Sequence, residues 1–314
     1  MIGYDPGPSR HSGQRPRPFI MFSFKRSHTQ SAGIVITGAS TGIGAACALA
    51  LDKLGYRVFA GLRDKADGET LTASAGPRLM AIGLDVTDAA SIAAAAHTVR
   101  AMVGEHGLAG LVNNAGIAVA GPVELLPVTE WRRQFEVNVF GLVAVTQAFL
   151  PLLRRGQGRI INIGSISGRS AMPFMAPYSA SKHALAGLTD SLRLEVSPWG
   201  IHVALIEPGA IATPIWSKTR KDVDSWDRSW TQEMNALYGA TCARAKDFAI
   251  QAGVQAPPPG VVVDAVIHAL QSRFPKTHYL VGRDAKIRAA LATILPDRLH
   301  DWLISRVIGL NSPR

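Results

Sequence analysis

The sequence predicts an α/β fold: one doubly wound parallel sheet with helices on both faces. Three observations point there. Short apolar runs alternate with longer alanine-rich stretches, the runs are apolar throughout rather than at every second residue, and the first run passes into a glycine-rich turn that opens a helix. Strands apolar on both sides belong to sheets covered on both faces, and parallel neighbours need helical crossovers of one hand.

The expected strands, in order, are "GIVIT" (33–37), "RVFAGL" (57–62), "RLMAIGL" (78–84), "GLVNNAG" (110–116), "GRIINIGS" (158–165), "IHVALIEPG" (201–209) and "HYLVG" (278–282). The helical stretches between them include 42–55, 88–104, 130–154 and 179–197. Residues 212–260 break the rhythm: they hold no clear strand, end in "APPPG" and follow the sixth strand, beside the sheet edge where such folds bind ligands. The expected organisation is a disordered extension over 1–30, a single Rossmann-like domain over 31–283 with a substrate loop at about 212–260, and an amphipathic helical tail over 284–314.

Composition narrows the function classes. With 314 residues, 47% hydrophobic and 18% charged, the chain can bury a full core. The formal charge of +10 is concentrated at the ends: Arg10, Arg15, Arg17, Lys25 and Arg26 face only Asp5, and residues 273–314 are again strongly basic. Basic ends on a nearly neutral body do not form a nucleic-acid groove. Two cysteines, Cys47 and Cys242, without a CxxC spacing, give neither a disulfide framework nor a zinc site and fit a reducing cytoplasm. No apolar run reaches the roughly 18 residues of a membrane span, and "FIMFSF" is too short for a signal-peptide core; Met21 offers an alternative start.

The turn after the first strand reads "TGASTGIGAAC", with Gly38, Gly42 and Gly44 spaced G-x-x-x-G-x-G. Gly38 permits a tight turn, Gly42 lets backbone approach a pyrophosphate, and Gly44 lets helix and strand pack closely. The helix amino end supplies N–H donors and partial positive charge, and Ser40 and Thr41 can cap the helix or bond a phosphate.

Together with "NNAG" (113–116) and "YSASK" (178–182), in that order and spacing, this turn resembles the short-chain dehydrogenase/reductase family. The resemblance runs from about Gly33 to Gly282, and "RLEVSPWGIHVALIEPGAIATPI" is similar to the subset acting on steroids, retinoids and other lipid alcohols. It implies NAD(P) chemistry between an alcohol and a ketone, and a homodimer or homotetramer paired through the helices near 130–154 and 178–197. It adds Ile43 to the glycine turn as a cofactor contact and places Asp85 and Val86 on the adenine. It puts Asn114, Ala115 and Gly116 beside the cofactor, with Asn113 and Asn114 mainly structural, and sets Pro208, Gly209, Ile211 and Thr213 around the nicotinamide.

The end of the second strand sorts the cofactor. An acidic residue there would favour NAD; the sequence has Leu62 and then Arg63, whose fork suits a 2′-phosphate. NADP is therefore expected over NAD, although Asp64 is close enough to swing in.

Tyr178 and Lys182 stand four residues apart, on one helix face. A phenol near pKa ~10 would be pulled toward neutrality by the ammonium and serve as general acid or base. Ser165, at the carboxyl end of the fifth strand, would steady the substrate oxygen. The resemblance has Lys182 also hold the nicotinamide ribose and Asn138 bend its helix and bind a water leading to the lysine. His183 reads as structural, and no metal-ligand cluster is apparent.

Val223, Trp226, Trp230, Met234 and Leu237 recur at helical spacing and suggest one amphipathic helix lidding an apolar alcohol or ketone. "DAKIRAALATIL" and "PDRLHDWLISRVIGL" are expected to pack on the body; covering the pocket mouth or touching a membrane surface are the other places for them. Two other readings are open to such a chain. A sugar-nucleotide epimerase would have another glycine spacing and a larger carboxyl-terminal domain, and a non-catalytic nucleotide sensor or scaffold would commonly have lost Tyr or Lys.

Overall fold

A computed structural model describes residues 33–217, 219 and 230–310. The expected extension over 1–30, together with Val223 and Trp226, lies outside the described residues. Seven parallel strands form one sheet in the order β3-β2-β1-β4-β5-β6-β7. They are β1 (Gly33–Ile36), β2 (Arg57–Leu62), β3 (Leu79–Gly83), β4 (Leu108–Asn113), β5 (Arg159–Ile163), β6 (His202–Pro208) and β7 (His278–Val281). The chain builds outward from β1 to β3, then crosses back to add β4 on the other side of β1. The carboxyl ends of β1 and β4 therefore part, and a crevice opens between them.

Helices cover both faces: α1 (Gly42–Lys53), α2 (Lys65–Ala73), α3 (Ala89–Val103), α4 (Val128–Phe135), α5 (Gly141–Gly156), α6 (Ala176–Val196), α7 (Ala240–Val254), α8 (Gly260–Gln271), α9 (Arg283–Ile294) and α10 (Asp297–Ile308). Alternation along β1 divides the core. Ile34 and Ile36 join Leu51 of α1 and Val262 of α8 on one face, while Val35 joins Val99 of α3 and Phe149 of α5 on the other. Both faces are buried, which is why the strands read as unbroken apolar runs.

Several expected boundaries move. The fourth strand stops at Asn113 instead of reaching 116, because the Asn114 side-chain amide donates to the carbonyls of Thr37 (3.0 Å) and Gly38 (2.9 Å) and leaves the ladder. The helix expected over 130–154 runs from Val128 to Gly156 and carries a π-turn at Glu136–Phe140, centred on Asn138. This 29-residue helix is long and apolar enough to cross a membrane by composition, against the expectation that no stretch is. Its apolar face is used internally: Val145, Phe149, Leu152 and Leu153 are buried against the sheet and α3.

Among the described residues, the amphipathic helix expected from Val223 to Leu237 is not continuous through Thr231. Thr231 is an extended N-cap whose hydroxyl accepts from Met234 N (3.2 Å), so a new helix begins after Trp230. It continues through a π-turn at Asn235–Gly239 into α7, and Leu237 is 53% exposed rather than part of a lid. The two tail helices pack on the body as expected. Ala285 and Ala289 of α9 bury against Ile166, Asp284 Oδ2 accepts from Ala210 N (2.8 Å), and α10, N-capped by Pro296, rests against α7.

Candidate active site

The β1–α1 turn is shaped by two glycines. Gly38 has φ +62°, and a Cβ there would sit 2.8 Å from Ala115 Cα; a Cβ on Gly44 would sit 2.3 Å from Gly38 O. The first allows the left-handed turn and the second lets α1 start directly behind it. The amino end of α1 opens into the crevice, and its N-cap Thr41 makes no side-chain cap bond. Gly38, Ser40, Thr41, Gly42 and Ile43 line the crevice floor, with Asn114, Ala115 and Gly116 facing them from β4. A pyrophosphate fits such a cradle of turn backbone and helix amino end. Gly44 lies behind the turn and does not line the crevice.

Arg63 and Asp85, with Val86, stand at the crevice end beyond β2 and β3. Asp64 does not swing in: its Oδ1 accepts from Ala66 N (2.9 Å), capping α2. Partial burial acts to raise the Asp85 carboxyl, but hydrogen bonds from Thr87 N and Oγ1 (2.9 and 2.8 Å) and the Arg63 charge hold it below its usual range. The site thus offers an uncommitted cation and a fixed carboxylate where ribose and adenine would lie.

At the other end, β5 and α6 bring Ser165, Tyr178 and Lys182 to one wall. Ser165 Oγ accepts from Ser167 N (3.1 Å) at the start of a tight turn, and the Arg169 fork locks that turn to buried Glu207 on β6 through bonds of 2.6 and 2.8 Å. Lys182 Nζ donates to Ile163 O (2.8 Å) and lies 5.7 Å from the Tyr178 ring centroid. Burial pulls its ammonium down to about 8.

The phenol departs from expectation. The chamber walls enclose Tyr178, although part of it stays open to the chamber, and this burial pushes its pKa up; the Ser165 hydroxyl and the Arg288 charge act against the rise. Lys182 does not reverse it, because its ammonium is turned to Ile163 O and is itself hard to keep charged at this depth. Without a bound dinucleotide, burial outweighs the neighbouring ammonium.

Asn138 does not line the crevice. Its Oδ1 accepts from Ile117 N (2.9 Å), and its Nδ2 donates to Ile117 O (3.0 Å) and Ser181 Oγ (3.1 Å). It ties the π-turn to the strand end and to the Tyr178 helix, and makes no bond to Lys182. Asn113 donates from Nδ2 to Thr146 Oγ1 (3.0 Å) and Asn162 Oδ1 (2.9 Å), a buried polar bridge across the sheet as expected of a structural residue. His183 Nδ1 is bonded to Ser179 O (2.8 Å).

Pro208, Gly209, Ile211 and Thr213 form the remaining wall of the crevice, which widens beyond Tyr178 into one continuous chamber of about 1210 Å³. Trp216, Trp230 and Phe248 from the loop region and Leu291, Leu303 and Val307 from the tail line its outer part. Met234 does not.

The family model for short chain dehydrogenase matches residues 32–224. The chain belongs to the short-chain dehydrogenase/reductase family. Members of this family are enzymes that interconvert alcohols and carbonyls with NAD(P). Human dehydrogenase/reductase SDR family member 9 is 36% identical over 86% of this chain and 86% of that protein. Human retinol dehydrogenase 16 is 37% identical over 88% and 90%, and bovine 17-beta-hydroxysteroid dehydrogenase type 6 is 36% identical over 89% and 90%. Among solved structures, a Burkholderia cenocepacia short chain dehydrogenase in complex with NADP matches with TM-score 0.66 and 28% identity, over 90% of this chain and 98% of that one. A Burkholderia phymatum short chain dehydrogenase/reductase in complex with NAD matches with TM-score 0.69 and 25% identity, over 84% and 93%.

Sequence reasoning missed the residues that come to this short-chain dehydrogenase's site from afar. Arg169 and Glu207 brace the Ser165 turn, and Arg288 reaches the chamber from a helix read only as an amphipathic tail. Nothing in local spacing marks them.

Proposed function

We propose that this dehydrogenase interconverts a bulky apolar alcohol, of steroid, retinoid or long-chain lipid type, and its carbonyl, with NADP preferred over NAD. The observation that carries it is one chamber that runs from the glycine turn past Ser165, Tyr178 and Lys182 into an apolar end. The cofactor, when bound, supplies or accepts the hydride. Glycine-turn backbone and the α1 amino end hold its pyrophosphate, and Arg63 pairs with a 2′-phosphate. The names of the retinol and hydroxysteroid dehydrogenase relatives support the substrate class.

The protein's own work is proton movement and placement. The Ser165 hydroxyl bonds the substrate oxygen and keeps it in reach of the Tyr178 hydroxyl. Tyr178 gives its proton to that oxygen during reduction and takes it back during oxidation. With its pKa raised by burial, the phenol is protonated and the resting site is set as an acid; oxidation needs the phenolate, which the Lys182 ammonium would favour. Asn138 fixes the helix bend that holds Ser181 and so the Tyr178 turn. Exposed Phe140 and Leu194, on the helices flanking the site, suit a homodimeric contact.

The test follows NADPH and NADH absorbance against a panel of steroid, retinoid and aliphatic ketones and aldehydes. Turnover of large apolar members is expected, with NADPH favoured in kcat/KM, and Tyr178→Phe is expected to lose on the order of 10²–10⁴ in kcat while still binding NADPH in calorimetry. Turnover confined to small polar carbonyls, or a Tyr178→Phe variant of normal rate, would refute the reading.

A further inference from the structure

The chamber wall holds a cation that the hydride reaction does not require. Arg288 projects from α9, whose Ala285 and Ala289 are packed against Ile166, so its backbone is fixed beside the Ser165 turn. Its Nη2 donates to Ser170 O. Among the described residues it makes no other hydrogen bond and no ion pair, and its Nε is shut off from solvent without a partner. The nearest carboxylate acting on it, Asp284, is bonded to Ala210 N instead.

The surroundings sharpen the oddity. Leu291, Leu303, Ile304 and Val307 line the same chamber and give it an apolar wall. His300 is a further titratable group here, beside Asp284 and Tyr178, with its Nε2 3.3 Å from Ser170 Oγ. A partly buried guanidinium that forms no ion pair among the described residues costs free energy, only part of it offset by the Asp284 charge, and a neutral donor would serve to hold Ser170 O. Burial accordingly weakens its hold on the proton, and Arg288 lines the same chamber as Ser165, Ser170 and Tyr178.

We propose that Arg288 is the recognition point for a carboxylate, carried near the reacting carbon of an otherwise apolar alcohol or ketone. The guanidinium fork supplies the paired donors that a carboxylate accepts, and the apolar wall takes the hydrocarbon. This deepens the proposed reaction and rests on it for the word substrate, although the binding step stands alone. It selects oxo or hydroxy lipid acids over neutral steroids or retinols.

Two measurements separate the ideas. Calorimetry on the cofactor-free protein compares dodecanoate with dodecan-1-ol; the acid is expected to bind on the order of 10- to 100-fold tighter, the worth of a charge-assisted hydrogen bond. Arg288→Leu is expected to bring the two affinities together, and Arg288→Lys to recover part of the gap. In turnover, kcat/KM for an oxo fatty acid over its methyl ester is expected to fall by the same factor in Arg288→Leu. The ratio is internal, so general damage to the fold cancels; if the leucine variant does not fold, wild type against Arg288→Lys decides. Equal wild-type affinity for acid and alcohol, or a preference that survives in Arg288→Leu, overturns the proposal. Acid-selective binding without turnover of any carbonyl would support Arg288 and sink the hydride reading instead.

Discussion

Replacing Lys182 by methionine probes the electrostatics at the bottom of the site without any substrate. Lys182 is 6% exposed, and burial lowers its ammonium from 10.5 to about 8. In the unfolded chain the side chain keeps its proton up to about 10.5; in the folded protein it keeps it only up to about 8. Between those values the unfolded state binds more protons, so stability rises with pH. The separation of roughly 2.5 pH units, at about 1.4 kcal/mol each, is a destabilisation of about 3 kcal/mol at neutral pH that disappears as the lysine discharges. Tyr178, whose folded value is raised, contributes the opposite slope only above the ordinary phenol range. Urea unfolding of wild type and Lys182→Met, without cofactor, from pH 7.5 to 9.5 isolates the lysine. Wild type is expected to gain about 2 kcal/mol relative to the variant over that range. A flat difference would mean that the ammonium is not desolvated, and the description of the Tyr178 wall would fail with it.

Gly44→Ala places a methyl against Gly38 O and the Asn114 amide. Thermal melts should show a loss of about 1–3 kcal/mol, and NADPH titration a weaker affinity than wild type. Arg63→Ala should lower the NADPH-to-NADH ratio of kcat/KM on the order of 10- to 100-fold, mainly through KM for NADPH; an unchanged ratio would remove Arg63 from the cofactor contacts. Asn113→Leu strips the buried bridge to Thr146 and Asn162 and leaves Asn162 Oδ1 without its donor. Urea unfolding should register a loss of about 1–3 kcal/mol, whereas the pH dependence of Lys182 stays as in wild type.

Much of this was legible in the residues because the physics is local. Apolar strands of the right length, a turn that only glycine can make, and a four-residue helical spacing are all read from neighbours in the chain. The seven strands and their parallel, doubly wound arrangement follow from the same pattern; their spatial order comes from the structure. The readings that failed were decided partly by local caps that compete with periodicity and partly by groups far apart in sequence. The Thr231 hydroxyl broke a periodic stripe by capping a new helix. Burial, assembled from several elements, set the direction of the Tyr178 shift against the pairing that spacing suggested. Asp64 caps a helix within its own turn, a local bond that the reading of it as a rival to Arg63 did not include. Arg288 had no signature at all, because its meaning depends on which wall α9 lands on.

The division of labour around the chamber has a consequence for how selectivity can change. The groups proposed to bind the cofactor and move the proton are drawn from the ends of β1, β4 and β5 and from α6, elements held together by the sheet. Much of the outer wall comes from a single contiguous stretch, α9 and α10, that touches the catalytic turn through a few side chains. Grafting the corresponding stretch of another family member should redirect which compound is admitted while the proton-transfer machinery beneath keeps its rate.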